Sequence, residues 1–183
     1  NLPLVAVGTP ISHAHLVSTI LNDDAKMGSN IAKALAGELT AGDQVLLLAD
    51  NAEYKPTERR EYNLRQDLDR MGVKIRGRFY SGDKREWAYR QTLQQLYLWP
   101  ELDAVVAFSA QSTVGASQAA EYLNRDLTII GTDIIPDLIE CIRDGSVSAT
   151  IVRNSFGMGF LGVEYAAGAL NGESQTGYKT LSS

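Results

Sequence analysis

The chain has 183 residues, of which 44% are hydrophobic and 21% are charged, and this ordinary globular composition excludes a disordered or fibrous chain. The 22 acidic residues outnumber the 17 Lys and Arg residues, so the formal net charge of −5 argues against a protein that binds the phosphates of a nucleic acid. The single cysteine, Cys141, excludes a disulfide framework and a zinc site built from several thiolates.

Short apolar runs alternate with amphipathic stretches along the chain. Apolar residues that recur every three to four positions indicate helices, and short continuous apolar runs indicate buried strands. In chain order, the pattern predicts strands over 4–8 and 16–21, a helix over 26–39, a strand over 44–49, a helix over 57–71, a strand over 73–79, a helix over 84–98, a strand over 104–108, a helix over 111–123, a strand over 127–131, a helix over 136–142, a strand over 148–152, a helix over 156–170 and an extended stretch over 178–181. No apolar stretch approaches the ~18 residues that a membrane-spanning helix needs.

This alternation predicts the fold class. Short buried strands that are separated by single helices require right-handed crossovers and therefore a parallel sheet. We therefore predict an α/β fold with a doubly wound parallel sheet. In such sheets ligands bind beyond the carboxyl ends of the strands.

Polar residues follow five of the predicted strands. Their carboxylate, amide, hydroxyl and guanidinium groups suit forked hydrogen bonds to a polyhydroxylated ligand. Strand ends are also polar simply because they are wet, and for any single residue that interpretation has equal weight. The candidates are Asp50, Asp83, Ser109, Gln111, Asp133 and Arg153.

Trp87 is a further candidate. It lies off the apolar stripe of its predicted helix, near the amino end, on the side of these loops. An aromatic face can pack on the C–H side of a sugar ring, although a Trp also fills peripheral gaps in a fold.

The residues give little support to the hypothesis that the protein is an enzyme. Ser109 and Ser112 have no His partner at any strand end, so turnover would depend on carboxylates such as Asp50 and Asp133. His13 and His15 lack a third metal ligand, and the G-x-G-x-x-G pattern at 157–162 falls inside a predicted helix. We expect a binding protein with no catalytic residue, cofactor or metal.

The ordered motifs resemble those of the periplasmic sugar-binding proteins of the ribose-binding type. These proteins serve ABC transporters and share their fold with the effector domains of LacI-type repressors. The resemblance rests on N-L-P-L-V at 1–5, Met27-Gly28, Arg60 within 56–64, W-P-E-L-D-A-V at 99–105, V-G-A at 114–116, I-I-G-T-D at 129–133 followed by Pro136, I-R-D-G with A-T-I at 142–151, and L-N-G at 170–172. It covers essentially the whole chain in order.

The resemblance implies a set of ligand groups. Asp133 matches an aspartate that accepts hydrogen bonds from sugar hydroxyls, and Arg60 matches an arginine that reaches the ring oxygen. Arg153 stands where many members have Gln or Asn. Two departures place the sugar's identity in question, because Gly8-Thr9 and Ser109-Ala110 replace an Asp-Arg and an Asn-Asp pair. Asp83 falls near a position that is often aromatic, and Trp87 lies one helical turn further on.

The resemblance also implies a domain organisation. Residues 1–22 and 154–177 would belong to the amino-terminal lobe, 23–153 would form the carboxyl-terminal lobe, and 178–183 would hold a crossover and the final strand. The lobes would close over a sugar or polyol, and a membrane permease or sensor would read the closed form. The protein would then work in the periplasm or as a membrane-anchored extracellular protein, although the chain shows no signal peptide.

The length has a consequence under this resemblance. The elements that normally precede residue 1, the first part of the amino-terminal lobe, would be absent, leaving an apolar face that another copy or the rest of the lobe covers. Two alternatives stay open: the effector domain of a LacI-type regulator, and the sensing domain of a two-component system. No basic helix-turn-helix is present in this chain, and the sequence upstream of residue 1 would decide, because a signal peptide or lipobox favours the transporter and a helix-turn-helix favours the regulator.

Overall fold

The computed structural model describes residues 2–49, 55–173 and 177–183. The chain divides into two compact units, each built from its own sheet. Unit 1 comprises Asn1–Asp23 and Arg153–Ser183, and unit 2 comprises Asp24–Val152. Within the described residues, no helix combines the length and the apolar character that crossing a membrane requires.

Helices and strands alternate as predicted, and their ends differ from the predicted ends by at most three residues, since caps and turns decide the termini. The elements are β1 (Leu4–Val7), β2 (Leu16–Asn22), α1 (Asp24–Ala36), β3 (Gln44–Ala49), α2 (Lys55–Met71), β4 (Lys74–Tyr80), α3 (Arg85–Leu98), β5 (Ala104–Ala107), α4 (Ala110–Tyr122), β6 (Thr128–Thr132), α5 (Pro136–Arg143), β7 (Ala149–Ile151), α6 (Ser155–Leu170) and β8 (Gly177–Leu181).

The largest difference is at the end of α1. The predicted helix reaches residue 39 because Leu39 continues the apolar stripe, but α1 ends at Ala36. The N–H groups of Glu38 and Leu39 both donate to the carbonyl of Leu35, at 2.9 and 2.8 Å, in a turn that closes the helix. Leu39 is buried from that turn. Periodicity therefore identified a core residue correctly and assigned it to the wrong element.

Unit 2 is a doubly wound α/β sheet, which confirms the predicted fold class. Its five strands are all parallel, in the order β4-β3-β5-β6-β7. Successive residues of β3 enter opposite cores, because side chains alternate across a strand. Val45, Leu47 and Ala49 join α1 and α2 in one cluster, whereas Leu46 and Leu48 join α3, α4 and α5 in the other.

The winding reverses between β3 and β5, which are neighbours in the sheet. After β3 the chain enters α2 on one face, and after β5 it enters α4 on the opposite face. In open α/β sheets ligands bind at such a reversal of winding, beyond the carboxyl ends of the strands. We call the segments that directly follow β4, β5 and β6 the carboxyl edge of unit 2.

Unit 1 contains a three-stranded parallel sheet in the order β1-β2-β8. Residues 8–15 alone join β1 to the parallel strand β2, without a helix in the connection. Helix α6 packs on β1 and β2 so closely that a Cβ on Gly162 would lie 2.9 Å from Cγ2 of Val7.

Candidate ligand-binding site

Asp133 follows β6 at the carboxyl edge in a conformation that L-residues rarely adopt. Its φ of 66° lies in the left-handed region, which Asp and Asn tolerate better than other side chains. Strand β7 forms hydrogen bonds with both backbone polar groups of Asp133. The Asp133 N–H donates to Ile151 O at 3.1 Å, and the Asp133 carbonyl accepts from Thr150 Oγ1 at 2.7 Å. Backbone strain of this kind clusters at binding sites, where the surrounding structure maintains it.

Ser109 lies between β5 and α4 and begins a chain of buried hydroxyl groups. Its Oγ donates to Ser112 Oγ at 2.8 Å, and Ser112 Oγ lies 2.6 Å from Ser81 Oγ. Ser81 in turn donates to the carbonyl of Ala49, the last residue of β3, at 3.1 Å. Ser109 also caps α4, because its Oγ accepts from the Ser112 N–H. The chain ties β3, β4 and α4 together at the reversal of winding.

The side chain of Gln111 forms a hydrogen bond within unit 2. Its Oε1 accepts from Arg85 Nε at 3.0 Å, and Arg85 Nη2 lies 2.6 Å from Asp137 Oδ2. Arg85, Gln111 and Asp137 sit in the first turns of α3, α4 and α5, so one guanidinium links three helix starts at the carboxyl edge. Gln111 retains its side-chain NH₂ donors for a ligand.

Arg60 lies on α2 with its side chain almost fully buried. Its Nη2 forms a 2.8 Å ion pair with Asp24 Oδ1, and its Cζ lies 5.7 Å from the ring centroid of Phe108, the residue after β5. The Nε atom is buried and has no hydrogen-bond partner among the described residues. The ring and the carboxylate together fix the guanidinium beside the end of β5.

Asp83 and Trp87 lie on the α3 side of the carboxyl edge. Asp83 is exposed in the turn after β4 and has a φ of 54°, the second left-handed aspartate at this edge. Trp87 is about half exposed on the first turn of α3, which agrees with its place off the apolar stripe. Asp50 lies outside the described residues.

Arg153 belongs to unit 1, immediately before α6. Its carbonyl accepts from the Ser155 N–H at 2.8 Å, and its side chain is half-buried. The neighbouring Asn154 caps α6, since its Oδ1 accepts from the Gly157 N–H at 2.9 Å. The cap fixes the backbone next to Arg153.

Sequence reasoning missed three residues of this edge: Ser81, Arg85 and Ser112. Ser81 and Ser112 both follow predicted strands, but nothing in the sequence shows that their hydroxyls meet across 31 positions. Arg85 is a charged residue at a helix start, which is common on protein surfaces and does not by itself indicate a site. Its two partners lie 26 and 52 positions away, which no local pattern reveals.

The other motifs agree with their structural interpretations. Gly157, Gly159 and Gly162 lie inside α6, so they do not form a phosphate-binding turn. His13 and His15 are exposed in the β1–β2 connection. Across residues 2–49, 55–173 and 177–183, no cluster of His, Cys, Asp or Glu could hold a metal ion.

Arg78 on the edge strand β4 has a perturbed pKa. Burial lowers the pKa of its guanidinium, but hydrogen bonds to Glu61 and Tyr80 and their charges outweigh burial and raise the pKa above its ordinary value. Glu61 Oε2 lies 2.5 Å from Arg78 Nε, and Arg65 Nη2 lies 2.7 Å from Glu61 Oε1. This network joins α2 to the sheet edge and keeps that edge charged, which disfavours strand addition.

Sequence comparison identifies related proteins over nearly the whole chain. The profile of a family described as "Periplasmic binding protein domain" matches residues 1–174. The ribose import binding protein of Haemophilus influenzae is 22% identical over 173 residues, which are 94% of this chain and 59% of that protein. The ribose import binding protein of Escherichia coli is 24% identical over 174 residues, with the same two coverages. The chain thus spans about three fifths of these relatives.

Solved structures share the fold. A substrate-binding protein of a sugar ABC transport system from Bordetella parapertussis matches with a TM-score of 0.86 at 21% identity, over 98% of this chain and 60% of that one. An ABC transporter solute-binding protein from Agrobacterium vitis with bound D-fucose matches with a TM-score of 0.87 at 22% identity, over 97% of this chain and 63% of that one.

Proposed function

We propose, on the premise that this chain belongs to the periplasmic binding protein domain family, that it binds a sugar or related polyol outside the cytoplasm and passes it to an ABC permease. We further propose that unit 2 is the carboxyl-terminal lobe and unit 1 is part of the amino-terminal lobe. The proposed ligand groups are those predicted from the sequence: Arg60, Asp133, Arg153, Ser109, Gln111, Asp83, Trp87 and Asp50.

The left-handed Asp133 is the observation that carries the proposal. Its backbone is held by Thr150 and Ile151 in a conformation that costs free energy, at the edge where α/β sheets bind ligands. A carboxylate has acceptor positions only, so it suits a ligand that presents several hydroxyl donors. A sugar or polyol has that character.

The names of related proteins support the same ligand class. The matched relatives include two ribose import binding proteins, and the matched structures include one with D-fucose and one with D-arabinose bound. All of them are binding proteins, so we propose that this chain binds without turnover. The family description supports the proposed periplasmic location, and the description of the Agrobacterium vitis protein as an ABC transporter solute-binding protein supports a permease as the proposed partner. The resemblance of Arg153 to a ligand position rests on its motif alone.

Thermal melting in the presence of sugars tests the proposal. A ligand that binds only the folded protein raises the melting temperature by mass action. The natural protein that carries this chain should melt higher with at least one of ribose, arabinose, fucose, galactose, glucose or a polyol. Arg60→Ala and Asp133→Asn should each remove the shift, while Asp67→Asn, which disrupts an exposed ion pair with Arg70 on α2, should keep it.

Two outcomes would contradict the proposal. If no member of the panel raises the melting temperature of the unaltered protein, sugar binding is wrong. If both Arg60→Ala and Asp133→Asn retain the full shift, the ligand site is wrong even though the protein binds a sugar.

A second copy of the chain is the proposed partner of unit 1. The α6 row, defined as Phe156, Phe160, Val163 and Leu170, is 62–86% exposed on the side of α6 away from β1 and β2. The spacing of 4, 3 and 7 residues forms a continuous apolar seam, and α6 contains Glu164 as its single charged residue.

A further inference from the structure

Asp24 cancels the charge of Arg60 within unit 2. Arg60 Nη2 and Asp24 Oδ1 lie 2.8 Å apart, and their side chains are only 2% and 12% exposed. Charges at this distance attract strongly where water is largely excluded, so the pair behaves as one nearly neutral group. A ligand that meets Arg60 therefore meets hydrogen-bond donors without a net positive charge.

The Nε–H of Arg60 has no partner among the described residues. It is buried, and the side chain is fixed by Asp24 on one side and by Phe108 on its face. A buried N–H without a partner costs free energy, and most such groups in folded proteins are satisfied by water or ligand. The geometry thus calls for one acceptor atom at Nε.

The charge of that acceptor follows from its surroundings. A carboxylate or phosphate on the ligand would gain little from Arg60, because Asp24 already compensates the charge of Arg60. The negative charge of Asp24 would also repel such a group. A hydroxyl or ring oxygen accepts from Nε without that repulsion, since it has no charge.

We infer that Asp24 is a specificity-determining residue that sets the site to accept neutral sugars and to reject acidic ones such as uronates and sugar phosphates. This inference rests on the proposed function. It predicts that the Asp24 charge affects the choice between two sugars of the same shape more than it affects the affinity for the neutral one.

Matched ligand pairs test the inference in the natural protein that carries this chain. Calorimetric titration with D-glucose and D-glucuronate, D-galactose and D-galacturonate, and D-ribose and D-ribose 5-phosphate gives one ratio of dissociation constants for each pair. We expect the neutral member of the best-bound pair to bind at least about tenfold tighter, equivalent to about 1.4 kcal/mol. Asp24→Asn keeps the size and an acceptor for Arg60 but removes the charge, and should lower this ratio at least about fivefold. Asp67→Asn is the matched control and should leave it unchanged.

Each other outcome overturns a different statement. Tighter binding of the acidic member by the unaltered protein overturns the inference without any variant. An unchanged ratio in Asp24→Asn overturns the inference and leaves the proposed sugar binding intact. Absence of binding to every neutral and acidic sugar overturns the proposed function itself. Should Asp24→Asn lose cooperative melting, Asp24→Ser replaces it in the same comparison.

Discussion

A Cβ on Gly28 would lie 2.2 Å from the backbone carbonyl oxygen of Arg60. No side chain can occupy that space, because the obstructing atom belongs to the backbone of α2 rather than to a flexible side chain. The glycine therefore permits the close approach of α1 and α2, and this approach fixes the position of the Arg60 backbone relative to α1. Gly115 has the same role between α4 and α3, where a Cβ would lie 2.3 Å from Arg85 O.

Gly28→Ala should destabilise unit 2. Overpacking costs about 1–3 kcal/mol, and the rigid backbone atom in the way places this contact in the upper half of that range, which exceeds the gain of about 1 kcal/mol from replacing Gly by Ala in a helix. We expect the free energy of unfolding to fall by about 1–2 kcal/mol in urea denaturation followed by tryptophan fluorescence. Both tryptophans, Trp87 and Trp99, lie in unit 2, so the signal reports on that unit.

Gly37→Ala is the control for this measurement. A Cβ at Gly37 meets no atom within 4 Å, and its backbone is not in the left-handed region. Its free energy of unfolding should stay within about 0.5 kcal/mol of the unaltered chain. Equal stabilities for the Gly28 and Gly37 variants would show that α1 and α2 do not approach as described.

The backbone of Asp133 gives a prediction that is independent of any ligand. Asp133→Gly and Asp133→Val both remove the carboxylate, but only glycine adopts a φ of 66° without strain. We expect the valine variant to be less stable than the glycine variant by about 1–3 kcal/mol in the same urea titration. A valine variant as stable as the glycine variant would contradict a left-handed residue at this position.

Asp144 should make stability depend on pH in the acid range. A hydrogen bond from the Ser146 N–H, 2.9 Å from Oδ1, lowers the pKa of this carboxyl below its ordinary value of 3.8. Because the folded-state pKa is the lower one, the contribution is complete above pH 3.8 and is lost as the pH falls through the folded-state value. Asp144→Asn should therefore be less stable than the unaltered chain at neutral pH, and the difference should shrink on acidification.

Two readouts check this expectation. The Asp144 carboxyl carbon should titrate in NMR with a midpoint below 3.8. Urea denaturation of the unaltered chain and Asp144→Asn at neutral pH and at about pH 3 should show the narrowing difference. A difference that grows on acidification would have the wrong sign.

The α6 row should decide the oligomeric state of the 183-residue chain. Sedimentation equilibrium should give about twice the 19.9 kDa of one chain, and Phe160→Asp should restore the monomer because a buried charge in the seam is costly. Tyr97→Asp, which alters an equally exposed aromatic residue in unit 2, should leave the dimer intact. A monomeric unaltered chain at about 100 µM would contradict self-association.

Only part of the candidate site could be predicted from the sequence. Asp133 and Ser109 are identified by their position after buried strands, which depends on local periodicity alone. Arg60 follows from its motif, but its partner Asp24 is 36 positions away and its contact with Phe108 spans 48 residue numbers. Gln111 was predicted as a ligand group, and the structure adds that Arg85 already occupies its carbonyl oxygen.

The sequence by itself determined the succession of helices and strands, the parallel doubly wound sheet and the polar character of its carboxyl edge. These features follow from local periodicity and from short connections, so each is encoded within a few neighbouring residues. Tertiary structure alone decided that Asp24 neutralises Arg60 and that Ser81, Ser109 and Ser112 share one chain of hydroxyl groups. Pairings of this kind depend on which loops the sheet brings together across tens of residues, and no local preference encodes that distance.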